Sequence, residues 1–176
     1  MRLLGCKMLR VLGGRIRMRD HIPHLRQIED EDILLLNRWL HKSYILNWYE
    51  DPQAWLDEIR QRNGVYNFIH HFIVMKGSQP IGFCQYYDCY EAGEDWYSVH
   101  RANETYSIDY LIGEEACLRQ GYGRQIICLL IDRIRGDTQG KEIIVNPEEE
   151  NLASCKALVA CGFEYDQTAA CYRRKL

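Results

Sequence analysis

The sequence predicts an α/β chain, α+β in arrangement: a central, mostly antiparallel mixed sheet of six to seven strands, flanked by about four helices. Three observations predict it. A strand-like run at 106–112 leads through a glycine-interrupted turn into an apolar helical run at 125–134. Two strand-like runs, 68–75 and 81–87, are joined through Gly77, Ser78, Gln79 and Pro80, which reads as a hairpin turn. Two amphipathic helical segments precede that hairpin, and further strand-like runs follow the long helix.

In chain order, residues 25–28 read as a short first strand. Glu29 to Asp32 place four acids where a helix dipole is positive, opening a helix that carries Ile33, Leu36, Trp39 and Leu40. Asp51 and Pro52 open a second, with Trp55, Leu56 and Ile59 on one face. The hairpin strands come next. Residues 88–103 are polar and aromatic, and read as a long loop on the substrate side. The strand at 106–112 puts Ser107, Asp109 and Leu111 on one face and Ile108, Tyr110 and Ile112 on the other. In the long helix Ile126, Leu130 and Ile134 stack, with Gly136 placed to end it. Residues 141–145 return to the sheet. Pro147 and Glu148 to Glu150 are expected to open a last helix, closed by Gly162, and residues 169–173 form a final strand.

At 176 residues the chain fits one domain, 21–176, large enough to hold a core without covalent staples, preceded by a basic leader at 1–20. Within that leader Met18 is a possible working start. Seven of the 22 Lys and Arg, but one of the 25 Asp and Glu, precede residue 27. The remainder holds 15 basic against 24 acidic side chains, which argues against nucleic acid as a partner and suits a cationic one. No apolar run is long enough to span a bilayer. The eight cysteines form no Cys-x-x-Cys pair and, with the histidines, no zinc spacing. They read as free thiols of a cytoplasmic protein, and no metal is expected.

The segment Leu118-Arg119-Gln120-Gly121-Tyr122-Gly123-Arg124 is the strongest functional signal. A glycine turn between a strand and a helix directs free N–H groups, and the helix dipole, at one point, and a diphosphate is the natural occupant. The spacing does not fit an NTPase phosphate loop, because no Lys-Ser/Thr follows the glycines. Nor does it complete a dinucleotide fingerprint, whose third glycine is Ile126 here.

This turn, the strand at 142–145, and the run from Asn151 through Ser154 to Cys161-Gly162-Phe163 occur in the order used by the Gcn5-related N-acetyltransferases, the GNAT superfamily. The chain resembles that family over roughly residues 25–166, and within it the aminoglycoside 6'-N-acetyltransferases. Stretches 38–49, 80–87 and 107–113 also look like that branch. The resemblance implies acetyl-CoA as cofactor, with backbone N–H groups of Gln120, Gly121, Tyr122, Gly123 and Arg124 on the diphosphate and Arg119 and Arg124 adding charge. Leu111, Ile112 and Gly113 would pair with the pantetheine arm, and Asn151 would also serve the cofactor. Asp109 would receive the proton of the attacking amine. Trp48, Tyr49, Trp96, Tyr97 and Asn146 would line the acceptor site of a small cationic amine. A monomer or homodimer is expected.

Two departures carry consequences. Leu118 replaces the family's Arg or Gln before the turn, and Leu158 stands where the family's thiolate-protonating Tyr is usual, with Ser154 in place of Ala. Leucine has no proton to give, so water, the substrate, Tyr122 or Tyr165 would have to supply it. The other functional readings are a GNAT acting on a siderophore-type hydroxylamine or a peptide amine, and a non-catalytic acyl-CoA-binding protein.

Overall fold

The computed structural model describes residues 22–176, so the expected basic leader lies outside the described residues. Seven strands form one sheet in the order β1-β2-β3-β4-β5-β7-β6. They are β1 (Pro23–Gln27), β2 (Ile69–Lys76), β3 (Gln79–Asp88), β4 (Thr105–Ile112), β5 (Glu142–Val145), β6 (Glu164–Asp166) and β7 (Cys171–Lys175). Every neighbouring pair is antiparallel except β4 with β5. The helices are α1 (Ile33–Leu40), α2 (Ser43–Leu46), α3 (Pro52–Arg60), α4 (Cys89–Ala92), α5 (Tyr122–Asp137) and α6 (Leu152–Ala160). No helix among the described residues is long and apolar enough to cross a membrane.

The alternation expected for β4 sorts the core. Ile108, Tyr110 and Ile112 face α5, joining Phe72, Val74 and Tyr86 against Ile126, Leu130 and Ile134. Leu111 faces the other way, with Ile73 and Phe83 beneath Leu36, Trp39, Leu56 and Ile59 of α1 and α3. The sheet is thus covered on both faces, and the residues of β4 are divided between two helical layers.

Four local expectations are corrected. Gly136 does not end α5; the helix continues through it to Asp137. The end comes at Thr138, whose hydroxyl and N–H both donate to the Ile134 carbonyl (2.7 and 3.0 Å) and so satisfy it without a glycine cap. Glu148 to Glu150 do not open α6, because Asn151 is its cap: Oδ1 accepts from Ser154 N–H at 3.1 Å, and the three acids lie in the preceding turn. The β2–β3 hairpin turns on Gly77 and Ser78 alone, and Pro80 lies inside β3 at a register shift opposite Met75. The 88–103 segment is not all loop. Asp88 caps α4 by accepting from Tyr90 N–H (3.0 Å) and also accepts from Asn103 N–H (2.6 Å), tying the two ends of the segment together.

Candidate active site

The parallel pair β4–β5 sets the geometry. Its ladder runs from Thr105↔Glu142 to Ser107↔Ile144 and then stops, while β4 continues to Ile112. β5 ends at Val145, and Asn146 and Pro147 lead the chain away. A slot therefore opens beside the second half of β4, where the sheet has lost its neighbour.

That slot is a cavity of about 560 Å³. Its lining brings together Trp48, Tyr49, Asp109, Leu111, Ile112, Arg119, Gly121, Tyr122, Gly123, Arg124, Asn146 and Asn151 of the sequence-predicted set. At one end lies the start of α5. Gly121 is its N-cap with φ +80°, a left-handed conformation that glycine adopts without steric cost. No side chain caps the helix, so the first-turn N–H groups stay available and the positive end of the dipole faces the cavity between Arg119 and Arg124. Arg119 itself takes φ +59° in the turn. This end has the donors and charge for a diphosphate.

Part of the predicted set lies outside this cavity. Gly113 donates its N–H to Ile81 O (2.9 Å), and its carbonyl accepts from Lys42 Nζ (2.6 Å) and the Tyr44 hydroxyl (2.9 Å). A Cβ there would lie 2.1 Å from the Trp39 ring, so the glycine admits an indole packed on the backbone. Gln120 turns its amide onto the Ala116 carbonyl. Trp96 lines a neighbouring cavity, and Tyr97 donates its hydroxyl to Cys89 O at 3.0 Å.

Asp109 stands where the slot meets that neighbouring cavity, of about 390 Å³, and lines both together with Trp55, Ile108, Val145 and Asn146. Burial pushes its carboxyl up to about 7. A hydrogen bond from Gln85 Nε2 (3.1 Å) works against that rise, and the charges of Glu58 and Glu94 add to it. Glu58 and Glu94 line the smaller cavity with Tyr66, Phe68, Tyr87 and Trp96, and among the described residues no Lys or Arg does. Its aromatic walls and three carboxylates suit an organic cation.

Glu58, Glu94 and Gln85 were not singled out by sequence. Glu58 had a usable signal: it lies three residues after Trp55 and one before Ile59, at the edge of the apolar face of α3. Glu94 had none, because its position depends on how the loop after α4 folds back; there it accepts from the Tyr87 hydroxyl at 3.2 Å and from the Trp96 indole. Of the two histidines in β2, His71 is buried with Nε2 3.2 Å from Glu58, and His70 stacks on Tyr86.

A third cavity, about 780 Å³, lies elsewhere, between residues 95–101 and the strands β5 and β7. Arg173 there is held by Glu142 and Asp166 at 3.1 and 2.9 Å, so its charge is already neutralised. Neither Asp109 nor the start of α5 reaches it.

Residues 29–171 match a family model described as an acetyltransferase (GNAT) domain. The chain is 24% identical over 150 residues to aminoglycoside N(6')-acetyltransferase type 1 of Klebsiella pneumoniae, covering 82% of this chain and 75% of that protein. In fold it is similar to the crystal structure of an aminoglycoside acetyltransferase in complex with coenzyme A and kanamycin. That likeness has a TM-score of 0.73 at 21% identity, over 87% of this chain and 94% of the other. It is also similar to a spermidine N-acetyltransferase from Vibrio cholerae in complex with CoA and spermine, with a TM-score of 0.65 at 17% identity over 82% of each chain.

Proposed function

Because this chain belongs to the GNAT acetyltransferase family and is therefore an acyltransferase, we propose that it acetylates a primary amine of a small polycation, most nearly an aminoglycoside 6'-amine, using acetyl-CoA. The observation that carries this reading is the position of Asp109: a half-buried carboxyl whose pKa desolvation raises to about 7, between a cavity that ends at an uncapped helix and a cavity lined by two further acids. A relative that acts on aminoglycosides supports the acceptor class. A structural neighbour bound to spermine makes polyamines the second class to test.

The residues fit a diphosphate thioester. The first-turn N–H groups of α5, with Arg119 and Arg124, hold the paired phosphates, and the slot beside β4 receives the extended arm. Bound there, acetyl-CoA supplies the activated acyl group. Glu58, Glu94 and Asp109 draw the acceptor ammonium into the smaller cavity, and Trp96 and Tyr87 offer ring faces to it. Asp109 takes the ammonium proton, freeing the nitrogen lone pair at the junction of the two cavities. A carboxyl near pH 7 is suited to this, being largely ionised at working pH yet basic enough to accept a proton. Attack is direct, with no cysteine nucleophile; Cys84 is buried and its thiol is pushed up by desolvation.

Release of coenzyme thiol over a panel of aminoglycosides and polyamines, with wild type and Asp109→Asn, tests the reading. Turnover by wild type, lowered about a hundredfold or more in the variant, is the expected result. Equal turnover by both removes Asp109 from its role. Tight acetyl-CoA binding with no turnover on any amine would instead favour an acyl-CoA-binding protein.

A further inference from the structure

Transfer of an acyl group from a thioester leaves a thiolate, and a proton donor at the sulfur lowers that barrier. Five side-chain hydroxyls line the slot: Tyr44, Tyr49, Tyr110, Tyr122 and Ser154. Their hydrogen bonds separate them. Tyr44 spends its proton on the Ile112 and Gly113 carbonyls, at 3.1 and 2.9 Å. Tyr49 spends its proton on the Tyr110 carbonyl, at 2.8 Å. Tyr122 is buried, and Lys76 Nζ lies 5.4 Å from its ring centroid, so its ring is engaged by a lysine.

Among the described residues the Tyr110 and Ser154 hydroxyls bond only to each other, Oη to Oγ at 2.9 Å, and either can donate. Two hydroxyls carry two protons and their mutual bond uses one, so one proton is left to face the cavity. The pair is also fixed in place. Ser154 sits in the first turn of α6, with its N–H held by Asn151. Tyr110 follows Asp109 on β4 but points to the opposite face, and its ring passes within ordinary contact of Gly123, where a Cβ would lie 3.7 Å from Cε2. The hydroxyl pair thus stands on the α6 wall of the slot, near the α5 turn. The two donors considered from sequence are placed worse: Tyr122 as described, and Tyr165 out on β6 against Tyr172. Leu158 is fully buried in the core.

We infer that Tyr110, relayed by Ser154, is the proton donor to the leaving thiolate. This rests on the acetyl-transfer reading above. Asp109 first passes the ammonium proton on to solvent; as the new N–C bond forms and the C–S bond breaks, the second nitrogen proton passes to Asp109 and the Tyr110 hydroxyl proton passes to sulfur. Ser154 then returns a proton to the phenolate and recovers one from solvent at the cavity mouth, while Asp109 loses its proton to solvent. Charge and protons balance over the cycle. Desolvation pushes the Tyr110 phenol up to about 12, so the donor is protonated at every working pH.

The test uses the full chain, Tyr110→Phe and Ser154→Ala, with two readouts. The first is kinetic: Tyr110→Phe lowers kcat about a hundredfold, and Ser154→Ala by a smaller factor, while the calorimetric Kd for acetyl-CoA moves less than about threefold. The second needs no turnover. With coenzyme A bound, thiolate ultraviolet absorbance gives the pH at which its thiol ionises, and loss of the donating hydroxyl raises that value by about one unit. Unchanged kcat and unchanged thiol ionisation in a folded Tyr110→Phe protein overturn the inference and leave acetyl transfer standing. A parallel loss of affinity and kcat, with no shift in thiol ionisation, shows a packing role and also overturns it. If wild type acetylates no amine, the functional reading fails and this assignment goes with it.

Discussion

Gln85 and Asp109 face each other across the β3–β4 pair, and the Gln85 amide nitrogen donates to the Asp109 carboxylate at 3.1 Å. The same amide leaves its oxygen buried without a partner. Gln85 therefore serves the ionised form of Asp109 at some cost to its own hydrogen bonding.

Removing that donor has a predicted direction. In Gln85→Leu the carboxylate loses the bond that opposes its rise, so the pH at which Asp109 ionises moves above about 7. The acidic limb of kcat/KM against pH should shift upward by roughly one unit. Thermal stability should change little, since the substitution also removes the unpaired amide oxygen. An unmoved limb would show that another group sets it.

The same carboxyl links activity to stability with a definite sign. Its value is raised on folding, so the folded state binds its proton more tightly than the unfolded chain does. The contribution to stability is fully present below about pH 4 and is lost as pH rises through about 7. Asp109→Asn removes this loss. The variant should be more stable than wild type at pH 8, by on the order of 1 to 4 kcal/mol, while being inactive, and the gap should narrow toward pH 4. Thermal melts of both proteins across that range would decide it; a variant less stable at pH 8 would contradict the account of a desolvated carboxyl.

Much of this site was legible in the sequence, and the reasons differ by residue. Asp109 and the Gly121 turn could be found because each belongs to a continuous strand–turn–helix run with local periodicity. The slot itself could not, because it exists only where the β4–β5 ladder stops, which is a relation between two distant segments. Glu94 was hidden for the same reason. Gly113 was grouped with Leu111 and Ile112 through the family resemblance, and its sequence position says nothing of the Trp39 indole packed on it. Thr138 displaced Gly136 as the end of α5 through a side-chain bond that composition alone does not rank.

Acceptor binding should depend on the acids of the smaller cavity. Glu58→Gln and Glu94→Gln each remove a negative charge facing Asp109 while keeping an amide oxygen as acceptor. KM for a multiply charged acceptor should rise about tenfold, a cost of about 1.4 kcal/mol, with a smaller rise for a monoamine. The acidic limb should move downward, opposite to Gln85→Leu, because less negative charge then opposes ionisation of Asp109. Initial rates with mono-, di- and tetra-amines at two salt concentrations separate these effects. Equal KM changes for all acceptors would argue against charge recognition.

Two glycines separate packing from conformation. Gly113→Ala would place its Cβ 2.1 Å from the Trp39 ring, against a side chain fixed by its bond to Glu114 at 2.8 Å. The indole cannot move without losing that bond and disturbing the core under α1, so a loss of about 3 kcal/mol or more is expected. Gly121→Ala meets nothing within 4 Å, and its penalty comes only from holding an alanine at φ +80°. That is worth about 1–2 kcal/mol. Relaxation of the strain would turn the first N–H groups of α5 away from the slot, so coenzyme affinity should fall more than stability does. Melting temperature and calorimetric affinity for acetyl-CoA, measured on both variants, should therefore rank them in opposite orders: Gly113→Ala worse in stability, and Gly121→Ala worse in binding by whatever folded protein remains.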